Sequence, residues 1–172
     1  MSMDEGRLMT SGKEKTRRPE VLLALILLLL LIGVGAIISG AMLFISISPD
    51  GALLGMSTDL LEDTPFSSYL VPSIVLFIFL GMFSVFAGYS LLRKLGWRWP
   101  DLLNPCKSYH WAWTAAWAEG VIILIWIAAE TVFLGYITFL QPFIVGWGIV
   151  IIALALLPPI RRYYQGGNHT RA

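Results

Sequence analysis

Residues 21–47 read VLLALILLLLLIGVGAIISGAMLFISI, a run of 27 positions without one charge. A helix needs about 20 apolar residues to cross a hydrocarbon core of about 30 Å, so this run predicts a membrane-spanning helix. Three further runs have the same character: 70–92, 111–133 and 142–160. Each is continuous rather than alternating in polarity, which excludes a transmembrane β-barrel. Lipid offers no partner for unpaired backbone groups, so each run is expected to be helical. The fold class is therefore all-α, a polytopic bundle of four transmembrane helices over residues 21–160. A basic tail (1–20) precedes it and a short tail (161–172) follows.

Composition agrees. The chain is 57% hydrophobic and only 13% charged, with a mean hydropathy of +0.75. A soluble domain carries roughly 25% charged residues, and half of that cannot cover a water-facing globule. The seven tryptophans lie mostly near the ends of the apolar runs. One cysteine, Cys106, allows no intramolecular disulfide, which removes thiol–disulfide exchange from the candidate activities. There is no internal repeat.

Charge sets the expected orientation. Arg7, Lys13, Lys15, Arg17 and Arg18 precede the first span, and Arg93, Lys94, Arg98 and Lys107 separate the second from the third. Arg161, Arg162 and Arg171 follow the fourth. These are all the basic residues, and a four-span chain puts them on one side. The other side holds Asp50, Asp59, Glu62 and Asp63. The positive-inside rule then predicts cytoplasmic amino and carboxyl termini in a plasma-membrane protein. Ser39-Gly40-Ala41 has the small residues of a signal cleavage site, but the apolar stretch before it exceeds a signal peptide's usual 7–15 residues. An uncleaved first helix is expected. The acceptor triplet Asn168-His169-Thr170 falls on the cytoplasmic tail, where it is expected to be inert.

The loops carry local signals. Pro49-Asp50-Gly51 marks a turn, and Ser57 or Thr58 can cap a short helix bearing Leu60 and Leu61, ended by Pro65. The segment is too apolar for a freely solvated loop, so it is expected to lie on the outer membrane surface or fold over the bundle. Its four acids match no metal-binding loop spacing. The inner loop, with Trp97, Trp99, Tyr109, Trp111 and Trp113, reads as an interfacial aromatic belt among basic anchors. A nucleotide or lipid-headgroup site there has no phosphate-binding motif behind it. The short link 135–141 makes the third and fourth spans antiparallel neighbours. Pro142 suits the first turn of the fourth, and Pro158-Pro159 predicts a kink or stop before Arg161.

The pattern Pro49-Asp50-Gly51, then Thr64-Pro65-Phe66, then Pro72 opening an apolar span, resembles an uncharacterised family of small four-span prokaryotic integral membrane proteins. The link GYITFLQP (135–142) is similar to the short outer link of that family. The resemblance covers most of residues 20–160; it implies the four-span architecture and no activity.

The third span alone contains acids, Glu119 and Glu130. Eleven residues turn a helix about 20° past three full turns and advance it about 16 Å. With Ile123 and Trp126 the two acids form one stripe, too far apart to share a proton or a metal directly. Glu119 is expected slightly inward of mid-membrane and Glu130 in the outer third. One acid costs roughly 2.5–3.5 kcal/mol at a helix centre, while the eight strongly apolar residues between Trp113 and Phe133 return roughly 2.4–4.8 kcal/mol. The span is near break-even, so its stripe should face away from lipid.

No span interior offers a Lys, Arg or His to pair with these acids, so the neutral acid is the expected form. Expected partners at matching depth are Ser84 and Tyr89 for Glu119. For Glu130 they are Ser39, Ser46, Ser73, Gln141 or Trp147. Gly35-x-x-x-Ser39, Ala36-x-x-x-Gly40 and Ser84-x-x-x-Gly88 are the expected close-approach positions.

Two readings of the stripe stand. In one, the glutamates fix helix packing or face a second copy or a partner subunit. In the other, Glu119, Glu130, Trp126, Ser84, Tyr89 and Gln141 form a binding or proton-relay path, since intramembrane acids often mark one. The first reading leads: a non-enzymatic scaffold, assembly or modulatory membrane subunit, with a small ion- or proton-coupled carrier as the alternative. An enzyme is not expected, because His110 and His169 are the only histidines and no His, Asp, Ser or Cys cluster is present. No cofactor and no metal is expected. The bilayer is the expected partner, together with another copy or a membrane protein, and nucleic acid is not.

Overall fold

The computed structural model describes residues 20–47, 61 and 64–165. Every regular element among them is helical, apart from an isolated antiparallel bridge between Tyr109 and Gln165. Helix α1 spans Glu20–Ile45. A second rod, Leu70–Arg93, consists of α2 (Leu70–Val75), a π-helical stretch at Leu76–Met82, and α3 (Phe83–Arg93). The short α4 (Arg98–Leu102) lies in the following loop. Then come α5 (Trp111–Leu134), α6 (Leu140–Leu156) and α7 (Pro158–Tyr164). Among the described residues, three helices are long and apolar enough to cross a membrane, or four if the pair α6–α7, bent by 60°, counts as one. The basic tail, the Asp50-Gly51 turn, the capped loop helix other than Leu61, the acids Asp59, Glu62 and Asp63, and the Asn168 triplet lie outside the described residues.

The sequence of α1 shows why its faces divide as they do. Leu22, Ile26, Leu29, Gly33, Ala36 and Gly40 are buried, and their alternating spacing of four and three is the seam pattern of packed helices. Leu23, Leu27, Leu31, Val34 and Ile38 point outward, each at least half exposed. An apolar exterior of this kind is compatible with lipid surroundings.

The seam between α1 and the second rod is set by missing side chains. A β-carbon on Gly40 would meet the backbone nitrogen of Phe77 at 2.9 Å, and one on Gly81 would meet Ile37 Cγ1 at 2.7 Å. Phe77 and Gly81 both belong to the π stretch, where the Phe83 N–H donates to the Ile78 carbonyl five residues back. The wider π backbone bulges, and the glycines give it room. On the other side of the bundle a β-carbon on Gly120 would lie 2.9 Å from the Gly148 carbonyl, so α5 and α6 also meet backbone to backbone. The expected pair Ala36 and Gly40 is buried in its seam, as are Ser84 and Gly88. Gly35 and Ser39 are exposed, and nothing lies within 4 Å of a β-carbon placed on Gly35. Gly33 takes that role instead, because it shares the buried face.

Aromatic N–H and O–H groups close the basic end. Helix α6 stops at Leu156, where Leu157 turns extended, and Trp113 Nε1 donates at 2.7 Å to the Ala155 carbonyl left without an intrahelical donor. Tyr164 donates its hydroxyl to the Leu91 carbonyl in the last turn of α3, and Trp111 Nε1 donates to the Leu95 carbonyl at 2.9 Å. His110 caps α5 by accepting the Ala112 N–H on Nδ1, while its own N–H reaches the Tyr164 carbonyl. Lys94 adopts a left-handed conformation (φ 49°) after α3, with its ammonium 3.4 Å from the centre of the Tyr163 ring. At the opposite end, Phe66 meets Phe133 edge-on at 6.4 Å and Leu61 is buried, so this part of the loop between α1 and α2 rests on the bundle.

Candidate functional site

The stripe on α5 exists, and its two acids have different surroundings. Glu119 is fully buried (0% exposed) on the face turned toward α3. Ser84 Oγ donates to its Oε1 at 2.6 Å, the length of a strong hydrogen bond to a carboxyl oxygen. Its second oxygen, Oε2, is buried without a hydrogen-bond partner among the described residues, as are Ser90 Oγ and Trp117 Nε1. Ile123, one turn on, is also fully buried.

Glu130 is half-buried near the other end of α5. Gln141 Nε2, from the first turn of α6, donates to Glu130 Oε1 at 3.4 Å, and Trp126 stands one turn back on the same stripe. Gln141 is itself 3% exposed and works mainly as a clasp on the 135–141 link. Its Nε2 donates to the Gly135 carbonyl at 3.1 Å and its Oε1 accepts the Ile137 N–H at 3.0 Å.

Four of the six expected residues thus fall into two pairs, Glu119 with Ser84 and Glu130 with Gln141, and Trp126 joins the second. Tyr89 does not belong. Five residues beyond Ser84 it points about 140° away around the helix; it is 47% exposed and lies beside Arg93. The other proposed partners of Glu130 are also occupied or turned away. Ser46 donates to the Met42 carbonyl and Ser73 to the Leu70 carbonyl, both within the local helix. Ser39 is exposed, and Trp147 Nε1 donates to the Leu28 carbonyl across the α1–α6 contact. The roles of Trp113, Tyr164 and Asn104 at the basic end were missed. Pro158-Pro159 was the available signal for Trp113, since a helix that stops there leaves its last carbonyls, Ala155 among them, without intrahelical donors.

Chemically, each pair is one acid and one neutral polar group. No group of three or more His, Cys, Asp or Glu side chains stands close enough to hold a metal ion among the described residues. An apolar groove of about 330 Å³ runs between α1 and α6, lined by Leu28, Pro142, Phe143, Gly146, Trp147 and Val150. Neither glutamate lines it. No protein-family model, curated protein or solved structure matches this chain.

Proposed function

We propose that this chain is a four-span plasma-membrane protein with its basic end and both termini in the cytoplasm, of the kind its outer-loop motifs resemble. In this reading it acts without catalysis, as a scaffold or assembly subunit. The observation that carries the reading is the use of the two acids. Each ties α5 to a different neighbour, Glu119 to α3 through Ser84 and Glu130 to α6 through Gln141. Hydrogen bonds of this kind between apolar helices contribute modestly but fix which faces meet.

Cross-linking in native membranes tests the assembly role. A stoichiometric species larger than the single chain is expected, and recovery of the monomer alone would overturn it. The unpartnered Oε2 of Glu119 favours one second reading, a proton-coupled carrier. Vesicles holding the wild-type chain, or its Glu119→Gln and Glu130→Gln variants, separate the two under an imposed pH gradient. The scaffold reading expects all three to leak no faster than empty vesicles. Proton flux that Glu119→Gln abolishes would replace it with the carrier.

A further inference from the structure

The loop between α3 and α5 is charged and apolar at once. Leu102 and Leu103 are 77% and 79% exposed, although they stand outside the long apolar helices. They are not carried on a loose tether. Asn104, 3% exposed, donates to the Tyr109 and Cys106 carbonyls and accepts from the Cys106 N–H and the Thr114 hydroxyl. Lys107 Nζ donates to the Asp101 and Leu102 carbonyls at 2.6 and 3.2 Å. A pinned turn therefore presents the two leucines.

Ring contacts give the depth of that turn. Trp97, just ahead of α4, folds back so that its ring lies 5.8 Å from Phe86, which stacks on Trp111 at 5.5 Å. Phe86 precedes Arg93, the end of α3, by seven residues, or about 10 Å along the axis. Hence α4 starts beside the flank of an apolar helix, about 10 Å short of its end, and does not stand clear in the solvent.

Charge identifies the lipid. Arg93, Lys94, Arg98, Lys107, Arg161 and Arg162 are exposed at this end, whereas the acids there among the described residues are Glu20 and Asp101. An apolar tip among cations at interfacial depth suits an anionic leaflet. An acidic protein surface would satisfy the cations but would not account for the depth of Trp97.

We propose that α4 and the Leu102-Leu103 turn form an interfacial wedge for anionic phospholipid, with the leucines in the upper acyl layer and Arg98 and Lys107 at the phosphates. The wedge goes beyond the α5 ties and does not depend on them. Spin labels test it on the full chain in vesicles of phosphatidylcholine, alone or mixed with phosphatidylglycerol. Labels go on Leu102→Cys or Leu103→Cys in a Cys106→Ser background, with Ser108→Cys as the water-facing reference. In the mixed vesicles, the ratio of oxygen to aqueous nickel accessibility should be several-fold higher at 102 and 103 than at 108. In phosphatidylcholine alone that contrast should shrink. Equal ratios at all three positions, or the same depth in both lipids, would overturn the wedge. A second measurement keeps the native cysteine: Leu102→Ser with Leu103→Ser should abolish the rise in thermal midpoint that phosphatidylglycerol gives the wild type. A rise retained in that variant would equally overturn it.

Discussion

Glu119 and Glu130 share a helix, a face and a chemistry, yet they sit in different solvents. Around Glu119 the neighbours are closely packed helices and one hydroxyl, and the side chain is fully buried. Around Glu130 the helix is near its end, the carboxyl is half-exposed, and its partner also clasps a turn. What separates them is the depth at which a second helix passes close by. Ser84 lies among Gly81, Ala87 and Gly88 on the buried side of the second rod, where small residues let α1 and α5 approach. Among the described residues, no such small-residue surface covers Glu130.

That contrast is open to attack. Glu119→Ala should cost the most, about 2–4 kcal/mol, because it leaves a cavity and strands Ser84 in a dry interior. Glu119→Gln, which keeps shape and acceptor, should stay within about 1 kcal/mol of wild type. Unfolding of the reconstituted chain in graded detergent measures both. A glutamine as damaging as alanine would show that the ionisable group itself is needed. Next comes Gly120→Val, expected to cost about 1–3 kcal/mol by overpacking. Its β-carbon would meet Ile152 Cγ1 at 2.5 Å and the Gly148 carbonyl at 2.9 Å. Cross-linking between α5 and α6 should fall while the Ser84 tie persists. Glu130→Ala should cost less, about 0.6 kcal/mol, the average for a hydrogen bond between membrane helices. A loss matching that of Glu119→Ala would erase the distinction.

The smallest effect belongs to the start of α5. Burial, and then the nearby Lys94 ammonium, hold the His110 imidazole below its usual 6.5. A depressed histidine is neutral when folded and takes a proton more readily when unfolded. Its contribution is therefore whole above about pH 6.5 and declines as pH falls below it. The cap gives the same sign, since a protonated Nδ1 cannot accept the Ala112 N–H. Unfolding measured from pH 7.5 to 5.5 should show this loss, and His110→Asn, which can still cap, should flatten it.

The all-helical class and the apolar helices were legible because lipid demands long uncharged runs, as in residues 21–47. The stripe on α5 was legible from spacing alone, and so was the Ser84 tie, which joins polar groups at matching depth. Tyr89 misled because depth was matched loosely and rotation not at all: five residues beyond Ser84 it lies about 7.5 Å along the axis and about 140° around it. Gly35 misled for the same reason, since a small-residue motif can be read on either face of a helix. The π stretch gave no warning, because LFIFLGM has an unremarkable helical composition. It is the contact with Gly40 that receives its bulge.

That stretch has a consequence for how the chain tolerates change in length. A π turn holds one more residue than an α turn, so the segment stores a spare residue within an otherwise regular rod. Deleting one residue from Leu76–Met82 would let the turn relax to α while α3 kept its bearing, and Ser84 would still reach Glu119. The same deletion three residues later, inside α3, has no slack to draw on. It would rotate Gly88 and Leu91 by about 100° out of their seam. Two neighbouring sites in one rod thus differ in whether they can lose a residue.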